Sequence, residues 1–214
     1  MQNSRRPAGL ALLIFTLGTF GAFTMINAPA GNYDVGKIDT YLAASSRVPI
    51  IAGGILGLVA AAALLVYLGA LRAEMPPGRA RDVVWGGGIV AAATASVGWT
   101  IAAGIPVAYA EGGGNVSLTP SAAYTGSVIA ALMVYGPALL FTGIALIVAA
   151  RKVATASRLW RVLTYVGGVS AILSLGFFPY YLFVLYGVVA GVWGIASGGR
   201  LVGATREPIG ANAS

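Results

Sequence analysis

The chain has no histidine and no cysteine among its 214 residues, and charged side chains make up only 9% of it. Without imidazole or thiolate there is no ordinary haem ligation, no metal site built on His or Cys, no disulfide and no thiol catalysis. Soluble domains carry roughly 25% charged residues, and a chain of this size with about a third of that supply could not cover its own surface. Acids are the scarcest group, six against 13 Lys and Arg. Apolar residues take their place, at 58% of the chain with a mean hydropathy of +0.85. The composition reads as an integral membrane protein.

The charges fall in short clusters between long uncharged stretches, and a helix crosses the hydrocarbon layer with about 20 apolar residues. This spacing predicts an all-α, polytopic transmembrane bundle of six helices in one domain, residues 1–214. The expected spans are 8–26, 48–71, 83–110, 126–150, 162–178 and 180–197. The last two come from one uncharged run, Val162 to Ser197, which is too long for a single crossing. Pro179 divides it, because proline removes a backbone donor and clashes with the preceding turn. The positive-inside rule tests the count separately. With the N-terminus cytoplasmic, every basic residue except Lys37 and Arg47 falls on the cytoplasmic side. Six spans with both termini cytoplasmic is therefore the expected topology.

The same distribution explains the net charge of +7 and a pI near 10.0. The basic residues sit at span ends, where they set orientation and meet anionic headgroups of membrane lipids. Nucleic-acid binding is not expected. Arg5-Arg6, the apolar run after them and Ala28-Pro29-Ala30 imitate a secretory signal with an A-x-A site. The run exceeds a usual signal core of about 7–15 residues, so the segment is expected to persist as the first helix. Asn115-Val116-Ser117 matches a glycosylation sequon, which carries little information at three residues.

Lipid tails offer no hydrophobic drive between helices, so association needs close packing through small residues. Gly53, Gly57 and Ala61 recur at four-residue spacing in the second span, and Gly88, Ala92, Ser96, Thr100 and Gly104 in the third. Gly187 with Gly191, and Ala190 with Gly194 and Gly198, do so in the sixth. Contacts within the chain are the first expectation, and docking of a second copy or another membrane protein the alternative. Trp85, Trp160, Tyr109, Phe178, Tyr180 and Tyr181 lie near span ends and read as interfacial belt residues, with a ligand-facing wall the alternative for the Tyr180–Tyr181 pair.

No acid falls within a span, which counts against a proton relay, a buried carboxylate for cations, a retinal counter-ion and a voltage sensor. Gly168-Val169-Ser170 has no base beside it and is not a hydrolase signal. The remaining polar groups are hydroxyls. Pro106 and Pro137 each leave a carbonyl without its usual donor, the Pro137 one near Met133. If these kinks border a cavity, the candidate solute-lining residues are Ser96, Thr100, Tyr135, Pro137, Thr142 and Ser170. No catalytic, cofactor or metal residue is expected. Asp34, Asp39 and Glu111 could gather into an acidic patch, but their spacing matches no calcium loop. Ile38, Tyr41 and Leu42 have i, i+3, i+4 spacing and predict a short interfacial helix before the second span.

Arg6-Pro7-Ala8-Gly9-Leu10 precedes the first span, Tyr41-Leu42-Ala43 the second, and Val66-Tyr67-Leu68-Gly69-Ala70-Leu71-Arg72 closes it. In this layout the chain resembles small six-span bacterial membrane proteins of domain-of-unknown-function families. The resemblance implies a multi-pass protein of the bacterial inner membrane and carries over no functional residues. The leading expectation is a non-enzymatic structural or accessory component that packs against itself or a partner. The alternative is a transporter or channel for a neutral, lipidic or amphipathic solute.

Overall fold

The computed structural model describes residues 5–29, 31–112, 118–153, 157–174 and 180–196. Its elements are α1 (Arg5–Ile26), α2 (Val35–Leu42), a 3-10 turn (Ala44–Ser46), α3 (Arg47–Ala73) and α4 (Arg79–Glu111). Then come α5 (Pro120–Met133), a π turn (Val134–Ala138), α6 (Leu139–Lys152), α7 (Arg158–Leu173) and α8 (Tyr180–Ala196). The π turn joins α5 and α6 into one continuous helix.

Local chemistry explains the boundaries. Asp34 caps α2 by accepting from the Gly36 (2.9 Å) and Lys37 (3.3 Å) amides. Thr119 caps α5, with Pro120 in the first turn where a missing amide costs nothing. Ser157 caps α7 through the Trp160 amide, at 3.2 Å. Asn27 ends α1 in the left-handed region, φ 44°, its amide donating to the Phe23 carbonyl.

Among the described residues, four helices are long and apolar enough to cross a membrane: α1, the 3-10 turn with α3, α4, and α5–α6. Six were expected. The shortfall lies in the last two. At 1.5 Å per residue, α7 with 16 residues and α8 with 17 extend about 24–26 Å against about 30 Å of hydrocarbon. α7 also begins with Arg158 and Arg161. The expected end of the fifth span, together with Phe178 and Pro179, lies outside the described residues, as do the sequon, Ser197 and Gly198.

The long helices form a closed ring in the order α1, α3, α4, α5–α6, α7, α8, with α8 returning to α1. The small residues set how closely they approach. A Cβ on Gly143 would lie 2.5 Å from the Gly168 carbonyl oxygen, and one on Gly168 2.8 Å from that of Gly143. Gly9 and Gly191 bring α1 and α8 together in the same way. Gly53, Gly57 and Ala61 are buried, as are Gly88 and Ala92, so these stripes serve the ring itself. The α4 stripe turns outward further on, where Thr100 and Gly104 are exposed.

Large side chains fill the middle of the ring. Tyr67 of α3 and Tyr186 of α8 meet across it, their hydroxyls 3.0 Å apart and buried. Phe15 and Phe183 pack edge to face beside them at 6.0 Å. Outside the ring stand Leu17, Ile51, Ile55, Leu58, Val66, Leu182 and Leu185, all exposed and apolar. This surface is what a helical bundle presents to lipid rather than to water. Two residues expected at the interfacial belt turn inward instead: Trp160 and Tyr180 are buried, whereas Tyr109 and Tyr181 are exposed. Short helix ends put these rings within reach of the core.

Gly187 and Gly104 make a clean comparison. A Cβ on Gly187 would fall 1.9 Å from Cγ2 of Thr16, a β-branched side chain held by its bond to the Leu12 carbonyl. One on Gly104 meets nothing within 4 Å. Gly187→Ala is expected to destabilise the bundle by about 1–3 kcal/mol. Gly104→Ala is expected to be neutral or slightly stabilising, since alanine is the better helix former. Thermal unfolding in detergent, followed by circular dichroism, checks this; equal midpoints for the two variants would refute the packing account.

Candidate functional site

The end of the bundle that carries α2 has an alanine-rich core: Ala22, Ala61, Ala92, Ala95, Ala102, Ala123, Ala130 and Ala138. Small side chains fill space only where backbones touch, and here α1 parts from α4 and α5. A cavity of about 350 Å³ lies between them. Phe23 and Ile26 come from α1, and Gly98, Trp99 and Ala102 from α4. Ser127, Ala130, Ala131, Val134 and Tyr135 come from α5 and the π turn, on one helical face. Asn27, Ala28 and Gly31 form the rim. Among the described residues, no charged side chain lines it.

The aromatic wall is a connected cluster. Phe23 stacks on Tyr135 with centroids 4.5 Å apart and meets Trp99 edge to face at 4.7 Å. Tyr180 abuts Tyr135 edge-on at 5.3 Å, and its buried hydroxyl has no hydrogen-bond partner among the described residues. Trp99 owes its position to Gly57, where a Cβ would lie 2.4 Å from the indole.

The rim is tied down by hydroxyls of α5. The left-handed turn at Asn27 carries the chain across the cavity mouth, and Gly31, at φ 95°, turns it again. The fully buried Ser127 hydroxyl donates to the Pro29 carbonyl at 2.6 Å, sharing its proton with the Tyr124 carbonyl at 2.8 Å. The Tyr124 hydroxyl donates to the Gly31 carbonyl.

Neither proline singled out from the sequence lines this cavity, but the helix irregularity at each involves residues that do. Pro106 has no amide for the Ala102 carbonyl, and Ala102 is a lining residue. The hydroxyl of Tyr41, from α2, supplies the missing donor. Burial pushes that hydroxyl up from its ordinary pKa, so it keeps its proton throughout the physiological range. Pro137 behaves otherwise. The Met133 carbonyl was expected to be orphaned, but the π turn shifts the register to i→i−5, so the facing amide is that of Ala138. The same turn begins with Val134 and Tyr135, both on the cavity wall.

Of the six candidate lining residues, only Tyr135 lines the cavity. Pro137 is half-buried inside the π turn. Thr142 is buried and donates to the Ala138 carbonyl at 2.7 Å. Thr100 faces outward and bonds the Ser96 carbonyl at 2.8 Å, with Ser96 half-buried. Ser170 is buried, its carbonyl accepting from Ser174 at 2.7 Å. The Thr100 and Thr142 hydroxyls thus bond carbonyls of their own helices. Phe23, Asn27, Trp99 and Ser127 were missed. Ser127, a hydroxyl within the expected fourth span, was the one with a readable signal.

A second, more polar cleft of about 750 Å³ lies on the α2 side of residues 26–28, lined by Thr24, Asp34, Lys37, Thr40 and Tyr41 among others. Asp34 is engaged as the α2 cap, and Asp39 and Glu111 are exposed. Among the described residues, no three acidic side chains are grouped to hold a metal ion. The predicted short helix is present as α2, with Ile38, Tyr41 and Leu42 buried against the bundle. No protein-family model, curated protein or solved structure matches this chain.

Tyr41→Phe strands a buried carbonyl and is expected to cost about 1–3 kcal/mol. Pro106→Ala returns an amide to that carbonyl, so in its background the same change should cost markedly less. A double-mutant cycle on thermal stability, with hydrogen exchange across α2, measures the coupling. Additive effects would sever Tyr41 from Pro106.

Proposed function

We propose that this chain is a non-enzymatic, six-span integral membrane protein that takes a small, uncharged, amphipathic molecule into the aromatic cavity. The observation that carries the reading is the convergence of two unrelated helix irregularities, at Pro106 and Pro137, on one cavity. Irregular backbone at membrane depth is tolerated mainly where it is buried in protein or lines a cavity, and π turns recur at functional sites. About 350 Å³ lies in the range of small-molecule pockets. A charged solute would find no counter-ion among the described residues of the wall. A neutral one finds aromatic and methyl surface below and the Asn27 amide and loop backbone at the rim. This is the solute-binding alternative in a narrower form, resting on Phe23, Trp99 and Tyr135 rather than on the dispersed hydroxyls.

In this reading α7 and α8 complete six crossings, with local thinning of the bilayer and snorkelling of flanking residues absorbing their shortness. The distribution of the basic clusters supports cytoplasmic termini, with the cavity opening outward. The layout resemblance favours the bacterial inner membrane. One observation supports the accessory reading as a second possibility. Beyond Ser96 the α4 stripe faces outward beside an apolar groove of about 240 Å³ formed by Ile101, Gly104, Ile105, Ala108, Tyr109 and Leu118. A second copy or another membrane protein could pack there through close backbone approach.

Mild extraction in native lipid, followed by mass spectrometry of small molecules, tests the binding reading. One neutral molecule per chain is expected to be retained and to be lost in Ala131→Phe, which fills the cavity. Extraction with no bound solute, or equal retention in the variant, would sink it. Topology is testable apart from binding, because a chain without cysteine accepts single-cysteine labelling without background. Ser45→Cys should react with an impermeant reagent from outside intact cells, and Ala73→Cys only after lysis. The opposite pattern would invert the orientation.

A further inference from the structure

At the basic end of the bundle, α6 closes with Arg151 and Lys152, and α7 opens with Arg158 and Arg161. The two helices touch at Gly143 and Gly168. Towards the basic end their outer surface holds a groove of about 260 Å³, formed by Ala150, Arg151, Arg161, Val162, Tyr165 and Val166. Its chemistry is divided. Val162 and Val166 stand half in the open, at 53% and 50% exposure, on the face that also bears Leu159 and Leu173. Two guanidinium groups stand at the mouth. Arg151 lies 5.6 Å over the Tyr165 ring, with a nitrogen 3.5 Å from its hydroxyl. Arg161 reaches the Val153 carbonyl at 3.5 Å.

We propose that this groove holds one anionic phospholipid of the leaflet at the basic end. Its phosphodiester sits between Arg151 and Arg161, and an acyl chain lies along Val162 and Val166. A guanidinium is the side chain suited to phosphate oxygens, offering a planar fork of donors. The contacts that orient both arginines hold them at the mouth, which lowers the entropy lost on binding. A free phosphate would leave Val162 and Val166 uncovered, whereas a lipid matches both halves of the groove. Basic pockets between helices on the cytoplasmic side are the setting in which anionic headgroups bind. The inference requires that the chain sit in a bilayer, and it is independent of the aromatic cavity at the other end.

The test uses the full chain in detergent, titrated in native mass spectrometry with phosphatidylglycerol, with phosphatidylcholine of the same acyl chains, and with glycerol 3-phosphate. The first phosphatidylglycerol is expected to bind roughly tenfold more tightly than phosphatidylcholine, and glycerol 3-phosphate not to compete. Arg151→Gln with Arg161→Gln should abolish the preference. Arg79→Gln with Arg81→Gln, which removes equal charge from the same end, should keep it. Equal losses in the two double variants would reduce the effect to general surface charge and overturn the site. Competition by glycerol 3-phosphate would assign the groove to soluble phosphate esters and overturn the lipid. If the Arg151 and Arg161 double variant does not fold, Val162→Phe decides instead. It occupies the groove without altering charge, and undiminished phosphatidylglycerol binding in it would refute the proposal.

Discussion

A backbone carbonyl without a donor is costly wherever water cannot reach it, and most of the architecture at the α2 end follows from that constraint. Proline creates the problem twice, and the chain answers it in two different ways. At Pro106 the donor comes from outside the helix, through the Tyr41 hydroxyl. That bond fixes α2 against α4 and so shapes the polar cleft beside residues 26–28. At Pro137 the helix mends itself by widening into a π turn. The wider turn leaves α5–α6 continuous and sets Tyr135 against Phe23. One solution recruits a tertiary contact and the other alters the helix.

Close packing supplies the rest of the cohesion. Where glycine faces glycine, as at Gly143 and Gly168, backbones meet with nothing between them. Where glycine faces an aromatic ring, as Gly57 faces Trp99 and Gly167 faces Tyr186, the ring lies directly on backbone. A ring of helices drawn this close needs little side-chain volume in its centre, and the Tyr67–Tyr186 pair with Phe15 and Phe183 provides it. Burying both hydroxyls as partners avoids the penalty that either would incur alone. At the α2 end the centre is filled by Phe23, Tyr135 and Tyr180, but the flanking wall is alanine, and the unfilled volume becomes the cavity.

The helices were legible in the sequence because charge placement and apolar length report them directly. Their lengths were less so. α7 and α8 look like full crossings when the uncharged run from Val162 to Ser197 is read as continuous apolar chain, yet the described stretch of each is too short by length alone. The short helix α2 was readable because Ile38, Tyr41 and Leu42 share one face. The site was only half readable. Missing backbone donors are a sequence property, so Pro106 and Pro137 pointed to the right region. Which side chains surround that region depends on helix rotation, which composition does not encode. Trp160 and Tyr180 illustrate the same limit, since a position near a helix end does not say whether a ring turns out to lipid or in to the core.

Hydroxyls were the natural choice for a solute path in a chain without buried charge, yet Thr100, Thr142 and Ser174 each bond a carbonyl four residues back. A hydroxyl on a membrane helix always has that carbonyl within reach, whereas a distant solute must compete for it. Apart from the Tyr67–Tyr186 pair, the hydroxyls that reach beyond their own helix include Tyr41, Tyr124 and Ser127, each bonded to a carbonyl that lacks a helical donor. All three lie at the α2 end and bind backbone made available by a proline or by the segment after α1. In a chain this poor in charge, the polar groups available for recognition are therefore those that broken backbone sets in place, and they gather where the helices are interrupted.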